Sequence, residues 1–312
     1  MLHIRRFVHD SDEPVWVDIL NAARRDDEDW RTITVDELRA EEKQPNFDFE
    51  GRFIAELDGR RVGIVHAFVD RLRTDGQGAI RFSLIPECWG RGVAEQLVET
   101  GLEELKARGM STAQTWSPSA DRDRILLLER FGFERVRVFS QMEIDLATVA
   151  PDAAANGEVA IRPLRLDVEE DIILFDWLGN ESFKEHFNFR PHTVEETRNH
   201  LLNNPYLKQR EFFFAALNGR DVGYVGVGID EKYNLQRDTK AGEVTVIGVL
   251  KPYRKAGVGT VLMLHALENL KGKGMTRAVL GVDDDNLTKA MALYAKVGFS
   301  VKTKYFIHRR SL

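Results

Sequence analysis

The sequence predicts an α/β protein that contains two copies of one domain. Its 312 residues exceed the roughly 100–200 residues of a typical single domain. Short motifs of the first half recur in the same order in the second half, which indicates an internal repeat. Within each half, some segments have the apolar periodicity of strands and others that of helices. Each half is long enough to bury a core of its own.

Four pairs of short motifs carry the repeat. The turn at residues 90–94 corresponds to the turn at 255–259, a displacement of 257 − 92 = 165. The other three pairs are 59–63 with 219–223, 105–110 with 270–275, and 131–133 with 297–299. The alternative is two unrelated α/β domains that share turn residues, but it does not explain the common order.

A small polar segment separates the copies. Residues 150–157 read Ala-Pro-Asp-Ala-Ala-Ala-Asn-Gly, and such a mixture of Pro, Gly and small residues is typical of a linker. We therefore predict one domain at residues 1–150 and a second at 158–312, joined by a linker at 151–157.

Each copy is predicted to have the same order of elements: a strand, two helices, a strand hairpin, a strand, a helix, a strand, a helix and a last strand. Each hairpin turns at a glycine-containing segment, 59–63 or 219–223, that follows an apolar run. Residues 242–250 are rich in β-branched side chains and predict a strand. Residues 257–271 predict a helix, because apolar residues recur there at helical intervals: Val258, Leu262, Leu264, Leu267 and Leu270.

The composition is that of a soluble globular protein, with 43% hydrophobic and 30% charged residues. The longest apolar runs, such as residues 172–175, fall far short of the ~20 residues that span a bilayer. Arg5 and Arg6 are not followed by the apolar segment of a secretory signal. We therefore expect a cytoplasmic protein without a membrane partner.

The charge and the cysteine content exclude other classes of function. A net charge of −6 with interspersed signs argues against nucleic-acid binding, which favours a basic stripe. The single cysteine, Cys88, excludes an internal disulfide and a multi-thiolate metal site. A small molecule is therefore the expected partner and no metal is predicted, while the oligomeric state stays open.

The turn at residues 254–259 lies between the predicted strand at 242–250 and the predicted helix at 257–271. A helix N-terminus exposes unpaired N–H groups and the positive end of the helix dipole, so this backbone can hold a phosphate or pyrophosphate. Arg254 and Lys255 add positive charge. The glycines are not followed by the Lys-Ser/Thr pair of a nucleoside triphosphate site, and the preceding hairpin argues against a dinucleotide-binding domain.

The motif at residues 249–259 resembles the Arg/Gln-x-x-Gly-x-Gly/Ala motif of the GNAT superfamily, and Asn286, Tyr294 and the Gly-Phe pair at 298–299 follow at the expected distance. The tandem arrangement most resembles the mycothiol synthase family. This resemblance implies two tandem domains, each with a mixed central sheet flanked by helices, and acetyl-CoA as co-substrate. The residues that it implies for acetyl-CoA are Ile247, Gly248, Val249, Arg254, Lys255, Ala256, Gly257, Val258, Gly259, Thr260 and Asn286. Asn286 has an alternative interpretation as a helix N-cap.

Acetyl transfer to an amine requires a base, a donor for the oxyanion and an acid for the departing thiolate. Glu243 is the candidate base, and strand alternation predicts that it shares a face with Thr245, Ile247 and Val249. The backbone N–H near Val249 is the candidate oxyanion donor. Tyr294 is the candidate acid. The alternatives are a solvated glutamate at a strand end and a tyrosine that only packs in the core.

The segment at residues 180–191 is expected to select the acceptor. Aromatic and polar residues alternate in it, and the candidate contacts are Phe183, His186 and Phe187. Alternatively, these aromatic residues fill the core or a seam between the domains. No second ligand recurs around His186 at metal-site spacing.

The first copy has lost the predicted catalytic residues. The displacement of 165 places Trp89 at the position of Arg254 and Gly78 at that of Glu243. The displacement of 298 − 132 = 166 places Leu128 at the position of Tyr294 and Ala120 at that of Asn286. A second, non-catalytic CoA site remains an expectation for Leu84, Gly90, Arg91, Gly92, Val93 and Ala94; the alternative is a scaffold whose glycines serve folding.

The sequence therefore predicts an acetyl-CoA-dependent N-acetyltransferase that acts on a primary amine of a small molecule, with the active site in the second copy. Two alternatives stay open. One is a non-catalytic protein that binds or senses acyl-CoA, and the other is an N-acetyltransferase that modifies proteins.

Overall fold

The computed structural model describes residues 1–149, 159–207, 209–286 and 290–312. They form two compact units, which comprise Met1–Val138 with Tyr305–Leu312 (unit 1) and Phe139–Lys304 (unit 2). The predicted linker at 151–157 lies outside the described residues. Among the described helices, none has both the length and the apolar character that crossing a membrane requires.

Unit 1 is built on a mixed sheet. Its strands are β1 (Leu2–Arg6), β2 (Arg52–Leu57), β3 (Arg60–Val69), β4 (Gln77–Leu84) and β5 (Thr112–Pro118). Its helices are α1 (Glu13–Ala23), α2 (Val35–Glu42), α3 (Val93–Ala107) and α4 (Arg122–Arg130). The strands lie in the order β1-β2-β3-β4-β5. Neighbours are antiparallel except β4 and β5, which are parallel.

Unit 2 repeats this plan. The strands that follow in the chain are β6 (Glu134–Asp145), β7 (Val159–Pro163), β8 (Gln209–Leu217), β9 (Arg220–Ile229), β10 (Ala241–Val249), β11 (Arg277–Asp283) and β12 (Ser300–Ser311). The helices are α5 (Glu169–Phe183), α6 (Val194–Leu202), α7 (Glu231–Gln236), α8 (Val258–Gly272) and α9 (Ala290–Val297). The strands of unit 2 lie in the order β7-β8-β9-β10-β11-β6, and only β10 and β11 are parallel neighbours. The predicted α/β fold of two repeated mixed sheets is confirmed, and α7 is an additional short helix.

The last strand of each unit comes from the other half of the sequence. In unit 2, β6 pairs antiparallel with β11, from Asp145 opposite Arg277 to Phe139 opposite Asp283. In unit 1, residues 305–311 of β12 pair with β5. The compact units therefore differ from the predicted domains at 1–150 and 158–312. Strand pairing places residues 139–145 in unit 2 and residues 305–311 in unit 1. The predicted boundary stays a prediction about the repeat.

The core of unit 2 lies on both faces of its sheet. Leu262, Leu267 and Leu270 of α8 are fully buried on one face, as their helical spacing predicts. On the other face, α5 contributes Phe175 and Leu178 to a second cluster with β8 and β9. Burying each of these side chains contributes roughly 1.5–3 kcal/mol. The two helix layers thus hold β10 in place from both sides.

Strands β10 and β11 separate along their length. They share three parallel pairs: Ala241 with Arg277, Gly242 with Ala278 and Glu243 with Val279. Beyond Glu243, β10 remains paired with β9 only, and β11 remains paired with β6 only. We call the space between residues 244–249 and 280–283 the wedge. Its open strand edges leave backbone groups available for a ligand.

Candidate active site

The wedge opens into a cavity of about 820 Å³ in unit 2. This volume lies in the ~300–1,000 Å³ range of small-molecule sites. The cavity is lined by β10 and β11, the start of α8, the end of α5, and α9 with the residue Asn286 before it. Twelve of the predicted site residues line it: Phe183, His186, Ile247, Gly248, Val249, Arg254, Lys255, Gly257, Gly259, Thr260, Asn286 and Tyr294.

Four predicted residues are not part of this lining. Val258 is a core residue with 1% exposure, and Ala256 packs against the same core. Only their backbone groups are therefore available for a phosphate. Phe187 and Glu243 are also not among the residues that line the cavity. The N-cap alternative for Asn286 involves residues 287–289, which lie outside the described residues.

The turn before α8 has the backbone that its glycines predict. Gly257 is the N-cap of α8 with a φ of 86°, in the left-handed region that favours glycine. Lys255 also has a positive φ, of 68°. The first backbone N–H groups of a helix lack carbonyl partners within it and carry its positive dipole end. Gly257, Gly259 and Thr260 bring this helix start to the cavity, which makes it a site for an anion.

Hydrogen bonds within the protein fix the side chain of Arg254. Its Nε donates to the Val249 carbonyl at 3.1 Å, and its Nη2 donates to the Ser182 carbonyl at 2.9 Å. Nη1 lies 3.5 Å from a carboxylate oxygen of Glu185. The guanidinium therefore links the end of β10 to the end of α5, in addition to placing positive charge at the cavity. Sequence reasoning predicted only the charge.

We expect Arg254→Lys and Arg254→Met to lower the free energy of unfolding by about 2–3 kcal/mol each. A hydrogen bond from a charged donor contributes ~1.5–3 kcal/mol, and lysine lacks the planar geometry that reaches both carbonyls. Chemical denaturation measures the effect. Lys251→Met is the control, because the one ion pair of Lys251 with a described residue, Glu185, is exposed. Wild-type stability of the lysine variant would assign Arg254 to charge alone.

Tyr294 is buried at the cavity. Its side chain is 6% exposed, and its ring centroid lies 6.1 Å from that of Phe299. Burial raises the pKa of Tyr294 to about 12, so the hydroxyl keeps its proton at physiological pH. The hydroxyl forms no hydrogen bond with another described residue. Tyr294 therefore packs in the core and also brings a hydroxyl donor to the cavity.

A β-bulge changes the face on which Glu243 lies. Glu243 and Val244 pair with β9, Thr245 is skipped, and pairing resumes at Val246. Thr245 lies against the positions of Gly226 and Gly228, and Glu243 is opposite Gly228. Ile247 and Val249, by contrast, pack against the α8 core. The prediction that Glu243 shares a face with Ile247 and Val249 is therefore wrong, because alternation does not continue through a bulge.

Glu243 lies at the last pair before the strands separate, next to cavity-lining Val244. It is partly buried and forms no hydrogen bond or ion pair with another described residue. Burial raises the pKa of its carboxyl group, and the negative charge of Asp230 raises it further. A carboxylate with a raised pKa is a stronger base than an exposed glutamate.

Two hydroxyl groups of the cavity were not among the predicted site residues. The Oγ of Ser182 and the Oγ1 of Thr245 are buried and have no hydrogen-bond partner among the described residues, although both residues line the cavity. A buried polar group without a partner costs ~1–3 kcal/mol, so a ligand that reached either hydroxyl would gain a hydrogen bond. Phe139 of β6 was also missed, because its pairing with β11 is long-range in sequence.

The bulge changes by one the displacement between corresponding residues of the two copies. Val249 and Leu84 pair with equivalent residues of β9 and β3, and 249 − 84 = 165. Before the bulge, Glu243 corresponds to Ala79, and 243 − 79 = 164. The first copy therefore has Ala79, not Gly78, at the position of Glu243. A change of one in the displacement was the signal that could have revealed Thr245.

One group of possible metal ligands occurs in the described part of unit 1. Atoms of His9, Asp10 and Glu13 lie within 4.8 Å of one another. The His9 Nδ1 lies 3.0 Å from Glu13 Oε1, which also accepts from the backbone N–H of Asp10 at 2.7 Å. These contacts account for the group as part of the start of α1.

This chain is similar to known proteins over most of its length. Residues 16–133 and 174–299 match the model of the acetyltransferase (GNAT) family. Mycothiol acetyltransferase of Frankia casuarinae is 29% identical over 250 residues, which cover 77% of this chain and 69% of that protein. Mycothiol acetyltransferase of Thermobifida fusca is 26% identical over 235 residues, which cover 70% of each chain.

Solved structures share the fold over nearly the whole length. A GCN5-related N-acetyltransferase from Sphaerobacter thermophilus has a TM-score of 0.73 and 20% identity, over 99% of this chain and 95% of that chain. A tandem GNAT protein from the clavulanic acid biosynthesis pathway has a TM-score of 0.75 and 15% identity, over 100% and 98%.

Proposed function

The chain belongs to the GNAT family of N-acetyltransferases, and we propose that unit 2 holds its active site, where acetyl-CoA donates an acetyl group to the primary amine of a small molecule. The observation that carries this proposal is the cavity at the wedge, which brings together open strand edges, a glycine-containing helix start and the hydroxyl of Tyr294.

The residues of the wedge suit the co-substrate. The backbone of residues 247–249 offers an open strand edge to the amide groups of pantetheine. The start of α8 offers N–H groups and a positive dipole end to the pyrophosphate, and Lys255 adds positive charge. Acetyl-CoA supplies the acetyl thioester, and the chain positions and activates the reacting groups.

In the proposed reaction Glu243 accepts a proton and Tyr294 donates one. Glu243 accepts a proton from the substrate ammonium, and because it does not line the cavity, we propose transfer through one water molecule. The free amine then forms the N–C bond as the C–S bond breaks. Tyr294 donates to the departing sulfur and is reprotonated by the second proton of the nitrogen, which is lost as the amide forms. The ammonium and acetyl-CoA therefore give the amide, the CoA thiol and one proton, which Glu243 releases to solvent. A backbone N–H near Val249 is the proposed donor to the oxyanion.

The acceptor is proposed to be a small amine that carries polar groups. Ser182 and Thr245 place two buried, unpartnered hydroxyls at the cavity. Phe183 and His186 add an aromatic wall, with ring centroids 4.3 Å apart. The matched relatives are named mycothiol acetyltransferases, and an amine of the kind they acetylate is the first candidate.

A panel of amines, assayed for thiol released from acetyl-CoA, tests the function. We expect acceptor-dependent release for hydroxylated amines, with weak release for plain alkylamines. Tight binding of acetyl-CoA without release for any amine would favour the non-catalytic alternative. Release that requires a peptide would favour the protein-modifying alternative.

We expect Glu243→Gln to lower kcat/KM by ~100-fold or more at neutral pH, with partial recovery at high pH, where the amine loses its proton unaided. Asp230→Asn tests the pKa of Glu243 without changing Glu243 itself. Asn retains the N-cap on Tyr233 N but removes the charge that raises the pKa of Glu243. The acidic limb of the pH profile should therefore move to lower pH.

The two pH profiles decide the role of Glu243. In wild type, activity should fall as pH drops through the raised pKa of Glu243, since only the carboxylate accepts a proton. An unchanged profile in Glu243→Gln would return Glu243 to an ordinary carboxylate at the end of a strand pair. An unchanged acidic limb in Asp230→Asn would assign that limb to another group.

A further inference from the structure

Unit 1 contains the backbone of a second wedge. Its β4 and β5 share three parallel pairs, from Gln77 with Thr112 to Ala79 with Gln114, and then separate. Gly92, the N-cap of α3, has a φ of 79°, close to the 86° of Gly257. The strand edge and the glycine-containing helix start are therefore both present in unit 1.

The side chain of Arg124 lies at this second wedge. Its Nη1 and Nη2 each donate to the carbonyl of Phe82 on β4 at 3.4 Å. The guanidinium carbon lies 4.2 Å from the centroid of the Phe82 ring. Nε donates to Asp121 at 3.2 Å, and the arginine side chain is only 16% exposed.

The equivalent positions in unit 2 belong to the cavity. Phe82 is equivalent to Ile247, because Phe82 pairs with Val65 of β3 and Ile247 pairs with Val225 of β9. The displacement is 247 − 82 = 165. The backbone N–H of Phe133 donates to Leu128 as that of Phe299 donates to Tyr294, and 294 − 128 = 166. This second displacement places Arg124 at Ala290, because 290 − 124 = 166. Both Ile247 and Ala290 line the cavity.

We propose that Arg124 fills, in unit 1, the space that pantetheine takes in unit 2, so that the chain binds one acetyl-CoA rather than two. The inference rests on the proposed function of the unit 2 wedge. It departs from the expectation of a second CoA site at Leu84 and residues 90–94, because that expectation considered only the strand end and the helix start.

The contacts of Arg124 stabilise its side chain at the second wedge. Burial lowers the pKa of Arg124, while the charge of Asp121 and its hydrogen bond oppose that shift, so the cation is desolvated but paired. The guanidinium over the face of Phe82 is also attracted by the negative charge of the ring face. Pantetheine would have to displace these contacts and expose the guanidinium. At position 290, alanine has no side chain long enough to reach the strand edge.

Calorimetric titration with acetyl-CoA, together with circular dichroism to verify folding, tests the inference on the full chain. We expect one equivalent for wild type, a second and weaker equivalent for Arg124→Ala, and at least a 100-fold loss of affinity for Ala290→Arg. The double variant should bind one equivalent, in unit 1. Arg122→Ala is the matched control, because Arg122 is an exposed residue of the same helix.

Two equivalents on wild type would overturn the inference, as would tight binding by Ala290→Arg. A folded Arg124→Ala protein that still binds one equivalent would overturn the assignment to Arg124. No binding to wild type would overturn the proposed function as well, and this result is distinct from two equivalents.

Discussion

Gly257→Val should reduce kcat/KM for acetyl-CoA by at least ~100-fold. Gly257 lines the cavity and is the N-cap of α8 with a φ of 86°. A β-branched residue in this left-handed region costs roughly 1–2 kcal/mol and moves the backbone. The anion site then loses charge-assisted hydrogen bonds, each worth ~1.5–3 kcal/mol. Steady-state kinetics and calorimetric titration measure the loss.

Gly92→Val is the matched control, because it makes the same change at the same helix position in unit 1. Gly92 has a φ of 79°, and an added Cβ meets no atom within 4 Å. We therefore expect a similar loss of stability from the backbone strain but nearly normal acetyl transfer. Equal losses of activity in the two variants would contradict the proposal that unit 2 alone is active.

The order of elements could be predicted from the sequence because each element has a local signal. The apolar spacing of Leu262, Leu267 and Leu270 predicts the buried face of α8, and the structure places all three in the core. The pairing of the last strands could not be predicted in this way. The pairing of β6 with β11 joins residues more than 100 positions apart, as Phe139 and Asp283 illustrate, and a strand pattern does not specify its neighbour.

The candidate site shows the same limit at the level of single residues. The glycine turn has a strong local signal, and Gly257 and Gly259 both line the cavity. The faces of β10 were predicted from regular alternation, which the bulge at Thr245 interrupts. Arg254 was predicted to add positive charge at the anion site, and in the structure it also joins two carbonyl groups. Such contacts depend on the ends of α5 and β10 meeting, which no local pattern contains.

Tyr294→Phe should lower the rate of acetyl transfer by ~100–10,000-fold, the usual contribution of a general acid or base, while acetyl-CoA affinity stays within a few-fold of wild type. The hydroxyl is needed mainly when negative charge gathers on the departing sulfur. Because the pKa of Tyr294 is raised to about 12, well above the ~8.5 of a thiol, we expect a hydrogen bond to the developing thiolate to matter more than early, complete proton transfer. Ionisation of Tyr294 should not create a basic limb until the pH approaches 12.

Single-turnover kinetics separates the chemical step from product release, and calorimetry gives acetyl-CoA affinity for the same proteins. Tyr253→Phe is the control, because Tyr253 also packs against the core but does not line the cavity. If Tyr294 only packs, phenylalanine keeps the ring against Phe299 and both variants retain normal rates. A single-turnover rate within about threefold of wild type would therefore remove Tyr294 from the mechanism, and the thiolate would have to leave with another donor or with none.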